Sequence, residues 1–147
     1  MKFTRRLGLR SGILAAAMLT GTGPASAQPN PVLYLTGLEY YSAAGKNWVR
    51  HRYDVLNKDQ YPAALFAAAP GLPPCGTNTN SSRSWVDVFD SRGNRLYGFC
   101  ALGDPANLGK LWFATEDGTV PPSYVYVEII DRQTNTRYKS NLADTTP

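Results

Sequence analysis

Side chains able to do chemistry are few in this 147-residue chain: one histidine, two cysteines and scattered pairs of acids. General-base catalysis by a Ser-His-acid set would have to use His51, the sole imidazole, and no Gly-x-Ser-x-Gly elbow presents a serine to it. His51 also sits in an alternating run with Val49, Tyr53 and Val55, which reads as a structural histidine on the apolar side of a strand. Paired carboxylates of the kind that hydrolyse glycosides occur as Asp87 and Asp90, Glu116 and Asp117, and Glu128 and Asp131. Each lies in a turn or on the polar side of a strand, where acids are ordinary. Asp104, Glu116 and Asp117 lack a calcium-loop signature, and no other metal site or cofactor is expected. The chain therefore leans away from an enzyme, with a small secreted hydrolase using a carboxylate pair as the alternative.

Binding chemistry is better represented. Residues 76–83 form a polar stretch that offers Asn78, Asn80, Ser82 and Arg83 as hydrogen-bonding groups, followed at once by Trp85. Among three tryptophans, Trp48, between Asn47 and Arg50, is the one expected at the surface, while Trp85 and Trp112 are expected in the core. These residues fit a module that grips a protein partner, or a glycan through an exposed Trp or the 76–83 loop.

The compartment follows from the N-terminus. Lys2, Arg5, Arg6 and Arg10 precede a short apolar run, residues 13–19, and Ala25-Ser26-Ala27 supplies small residues for cleavage. Residues 1–27 thus read as a cleavable signal peptide and the protein as exported, periplasmic or extracellular. Thr4-Arg5-Arg6 partly matches a twin-arginine signal, although Gly8 stands where a bulky apolar residue is usual, and an ordinary secretory route fits as well. Removing the segment takes away four of the 15 basic residues and none of the 11 acids, so residues 28–147 carry 11 of each sign. That neutrality lacks the basic footprint of phosphate-backbone binding, and no nucleic-acid partner is expected. No later run approaches the roughly 20 apolar residues of a membrane-spanning helix, so no span is expected after cleavage.

In an oxidising compartment Cys75 and Cys100, the only cysteines, are expected to form a disulfide. Closing a loop of about 25 residues would stabilise the fold by roughly 3.5 kcal/mol. A CxxC motif is absent, and one histidine is too few for a zinc site.

The elements that must position these groups are strands. Residues 32–41 are rich in strand formers, residues 47–57 alternate, and residues 85–89 and 95–102 flank Asp90-Ser91-Arg92-Gly93-Asn94, a hairpin turn. Residues 108–114, 124–131 and 137–142 complete seven strands, with Val125, Val127 and Ile129 directed at the core. Helical composition is confined to residues 61–69, enough for at most one short helix, and the tail 143–147 is expected to fray. Residues 28–147 therefore predict a single all-β domain, an antiparallel β-sandwich of about seven strands. The closing strand, turn and strand over 124–142 resemble the end of an immunoglobulin or fibronectin type III domain. The Cys75, Trp85 and Cys100 spacing is more compact than the inter-sheet bridge of an antibody domain.

Overall fold

The computed structural model describes residues 28–74, 82–100 and 103–147. Its strands are β1 (Leu33–Ala43), β2 (Lys46–Val55), β3 (Ser84–Asp90), β4 (Arg95–Cys100), β5 (Leu111–Glu116), β6 (Tyr124–Asp131), β7 (Thr136–Lys139) and the two-residue β8 (Ala143–Asp144). They form two antiparallel sheets, one ordered β1-β2-β5 and the other β4-β3-β6-β7, with β8 also paired to β6. This is the expected all-β sandwich: seven main strands, three facing four.

Alternation builds it. Along β2, Val49, His51, Tyr53 and Val55 point inward, and along β6 so do Val125, Val127 and Ile129, the last three with no exposed surface. Val86 and Val88 of β3, Leu111 and Phe113 of β5, and Leu33 of β1 complete a core that joins both sheets. Burying each such side chain contributes about 1.5–3 kcal/mol, which is why the strands hold this phase. Turn chemistry sets the registers. Ala44 (φ 53°) and Gly45 (φ 73°) make the two-residue β1–β2 turn, and Gly93 (φ 87°) supplies the left-handed residue between β3 and β4.

The segment at 61–69 holds one short helix, as expected: a four-residue 3-10 turn, Ala63–Phe66, kept short because the alanine run buries only Leu65 and Phe66 and Pro70 follows closely. Three other local expectations need correction. Further 3-10 turns occupy Lys58–Gln60 and Pro105–Lys110, the second taking the first half of the expected strand at 108–114. Asp104 drives that change, its carboxylate accepting the Ala106 amide at 2.7 Å ahead of Pro105. Trp85 and Trp112 are half-buried on outer faces, not in the core.

The last correction is the tail, which does not fray. β8 pairs with β6, Thr145 is 2 % exposed, and its carbonyl lies 2.7 Å from His51 Nδ1. Tyr53 donates its hydroxyl to the Asp144 carbonyl at 2.8 Å. Just before it, the Asn141 side-chain amide accepts from the Leu33 N–H and donates to the Leu33 carbonyl at 2.8 and 2.9 Å, standing in for one residue of a neighbouring strand.

Candidate functional site

Most of the groups that sequence alone marks for catalysis are engaged in structure. His51 is 2 % exposed and stacked on Phe113 with ring centroids 4.5 Å apart. Nδ1 donates to the Thr145 carbonyl, so the neutral ring accepts the Thr115 hydroxyl at Nε2, 3.1 Å away. Burial pushes its pKa down, outweighing the hydrogen bond to Thr145 that favours the charged ring. An imidazole so enclosed has no lone pair free to meet a substrate.

The acids are similarly occupied. Asp87 pairs with Arg95 at 2.8 Å, Glu128 with Arg137 at 3.0 Å, and Glu116 with Lys46 at 3.0 Å. Asp90 accepts from the Asn94 side-chain amide at 2.8 Å and from the Asn94 and Arg92 backbone N–H groups, closing its own turn, and these bonds, the Asn94 side chain first, hold its carboxyl below the usual range. Asp131 has its side chain 4 % exposed. Burial pulls its carboxyl upward, but Arg83, Thr134 and the Gln133 amide overcome that and leave it lowered. Among the described residues, no three His, Cys, Asp or Glu side chains are grouped to hold a metal.

Of the expected binding residues, Asn78 and Asn80 lie outside the described residues. Ser82 is buried beside the Phe66 carbonyl and forms an isolated bridge with Ala68. Arg83 makes a two-pronged contact with Asp131, Nε to Oδ1 at 3.0 Å and Nη2 to Oδ2 at 2.8 Å. Arg83 thus ties this stretch to β6, and Ser82 ties it to the segment 66–68. Cys75 also lies outside the described residues; Cys100 closes β4 directly across from Trp85, and no described cysteine is free.

Trp48 is half-buried, like Trp85 and Trp112, and belongs to a larger outward-facing patch. β1, β2 and β5 turn Tyr34, Glu39, Tyr41, Trp48, Arg50, Arg52 and Trp112 outward, away from the second sheet. The ladder sets Tyr41 opposite Trp48, Glu39 opposite Arg50, and Arg52 opposite Trp112. Arg50 is the hub. Its guanidinium lies 4.6 Å from the Tyr41 ring centre and 4.5 Å from that of Trp112, while Nη1 reaches Glu39 at 3.3 Å. Arg52 takes the other Glu39 oxygen at 2.7 Å, and that hydrogen bond above all holds the Glu39 carboxyl below its usual range.

β4 extends the patch past the β5 edge. Tyr97 and Phe99 overhang Trp112 with ring centres 4.3 and 6.1 Å from it. Trp112 is therefore flanked by Arg50 from β2 and Tyr97 from β4, while Trp48 closes its indole N–H onto the Ala43 carbonyl at 3.2 Å. Tyr, Trp and Arg are the residues that most often anchor protein interfaces. Sequence reasoning found Trp48 here and missed Trp112, Tyr97, Arg50 and Arg52. The usable signal was the Arg50/Arg52 alternation, which fixes the outward phase of β2.

Compared with protein-family models, with curated proteins and with solved structures, the chain matches none of them.

Proposed function

We propose that this chain is an exported, non-catalytic binding module that holds a protein or cell-envelope partner on the outer face of its three-stranded sheet. One observation carries the reading: Tyr41, Arg50, Trp112 and Tyr97 form a continuous ring-cation-ring-ring stack across β1, β2, β5 and β4, partly open to solvent. Such a surface is stiff before binding, because each long side chain is already held by its neighbour, and little ordering entropy remains to be lost. Export through residues 1–27 and a Cys75–Cys100 bridge belong to the same reading, as does the engagement of His51 and of the acids in structural contacts.

The test compares the protein with its Arg52→Ala/Trp112→Ala variant and with Arg95→Ala/Arg137→Ala on the opposite face, each immobilised and exposed to envelope extract of the producing cells. A species held by the wild type and by Arg95→Ala/Arg137→Ala but released by Arg52→Ala/Trp112→Ala supports the assignment. Retention by all three overturns it.

A glycan ligand is the second reading, and Trp48 favours it. Its indole is half-buried at the end of the β1–β2 hairpin opposite Tyr41, whereas Trp112 has Arg50 and Tyr97 against it. A glycan array on which the wild type binds and Trp48→Ala does not would move the function to sugar recognition. An array without signal would end that reading.

A further inference from the structure

We propose that two copies of this chain associate edge to edge through β1, pairing antiparallel about Tyr40 so that the two three-stranded sheets become one six-stranded sheet. The argument begins with hydrogen-bond phase. Ala44 and Gly45 form a two-residue turn, so the flanking Ala43–Lys46 pair is a hydrogen-bonded one, and the alternation turns the backbone groups of Tyr41 and Glu39 toward β2. Those of Leu38, Tyr40 and Ser42 then point away from the sheet. No strand among the described residues pairs with them, since β1 is the edge of its sheet.

The other edges of the sandwich are short or covered. β7 has four residues, β4 and β5 have six each, and Tyr97 and Phe99 of β4 lie over Trp112 of β5. β1 itself is guarded only at its start, where the Asn141 amide occupies Leu33 and a bulge interrupts the ladder between Leu35 and Gly37. Residues 37–43 remain as a regular run without proline, bulge or lysine, the devices that usually protect an edge.

The occupant that fits is a second copy. The open run extends from the bulge to the turn, and Tyr40 is its midpoint. A two-fold axis there pairs Tyr40 with Tyr40 of the partner subunit, and Leu38 and Ser42 with Ser42 and Leu38 of the partner subunit. Every outward N–H and carbonyl of those three residues then finds a mate, which any other centre would forfeit at the bulge or the turn. Side chains agree with this register. Tyr40 is 68 % exposed, the most exposed aromatic of the described residues, and pairing about it stacks ring on ring. On the outer face Glu39 comes opposite Tyr41 of the partner subunit, over which the partner's Arg50 lies, bringing an acid to a guanidinium instead of like to like. Residues 28–147 carry 11 charges of each sign, so no net repulsion opposes association. The contact leaves both copies' aromatic patches on one side of a continuous sheet.

Sedimentation of the purified exported protein at roughly 100 μM tests this. Wild type is expected at twice the monomer mass. Tyr40→Pro removes one outward donor per copy, which β2 does not use, and should weaken association by about 30-fold. Tyr40→Lys sets two ammonium groups together on the axis and should give monomer, which keeps the test decisive if the proline variant folds poorly. Arg52→Ala/Trp112→Ala should remain dimeric, separating this edge from the ligand face. A monomeric wild type, or a dimer that survives Tyr40→Lys with unchanged affinity, overturns the proposal.

Discussion

The two outer faces of the sandwich carry similar charges and spend them differently. On the four-stranded sheet each cation has its own acid or ring: Arg95 lies on Asp87, Arg137 on Glu128, and Lys139 stands 4.2 Å from the Tyr126 ring centre. Gly98, opposite Asp87, leaves the room across which Arg95 reaches; a Cβ there would meet the Arg95 guanidinium and the Asp87 carboxylate. On the three-stranded sheet Lys46 pairs with Glu116 at the hairpin end, but at the centre two arginines share Glu39 and aromatic rings supply the remaining partners of Arg50. The first arrangement pairs its charges one to one inside the face. The second keeps its guanidinium groups and ring edges in a preformed plane, and each face also holds one buried donor without a partner, Trp85 Nε1 on the first and Arg50 Nε on the second. On the proposed reading, self-satisfied charge belongs to a solvated surface, and shared charge among stacked rings to one prepared for a partner.

That contrast can be strained at several points. The largest stability loss is expected at the margin of the four-stranded sheet. Asp131→Ala leaves Arg83 without its two-pronged acceptor at a nearly buried position and should cost about 3 kcal/mol in chemical denaturation. Arg50→Ala should cost about 1–2 kcal/mol, since two ring contacts go with the charge, and Arg50→Lys should recover only part of it. Arg95→Ala and Arg137→Ala, by contrast, should each cost under about 1 kcal/mol, because both arginines are more than half exposed and salt screens them. If Arg137→Ala proved as damaging as Arg50→Ala, the distinction between the faces would fail.

Acid separates the sheets in another way. His51, beneath the three-stranded sheet, has its pKa lowered by burial below the ordinary 6.5. The unfolded chain then binds the extra proton first, so stability is full above about pH 6.5 and falls as pH drops toward the folded-state value, by at most about 1.4 kcal/mol per pH unit. His51→Gln should flatten that part of the profile. Asp131 and Asp90, on the other sheet, are lowered from 3.8, and their contribution should persist until pH falls below about 4. Thermal melts between pH 3 and pH 8 at about half-unit steps would resolve the two windows. The smallest effect belongs to Val120→Ser. That side chain is 94 % exposed in the β5–β6 connection, and stability should stay within about 0.5 kcal/mol of wild type.

Legibility in the sequence follows the range of the forces involved. The strands of residues 47–57 and 124–131 were readable because alternation is a local pattern, and the side of His51 followed from it. The turn at Gly93 was readable for the same reason. Trp112 was not, because it sits between Leu111 and Phe113, and three apolar residues in a row conceal which phase is buried. Only the pairing of Arg52 with Trp112 across β2 and β5 settles it. Ser82 and Arg83 looked like loop chemistry because their restraints lie far off, Arg83 on Asp131, 48 residues away. The tail looked free for a similar reason, since His51 holds it from 94 residues upstream.

Site-specific photo-crosslinking in the cells that produce the protein tests the central claim most directly. A crosslinking residue placed at Arg52 reports on the three-stranded face, and one placed at Arg137 reports on the opposite face. The shared-charge face should yield a discrete adduct from position 52, lost on adding Trp112→Ala, while position 137 yields none. A discrete adduct from position 137 with none from position 52 would contradict the account.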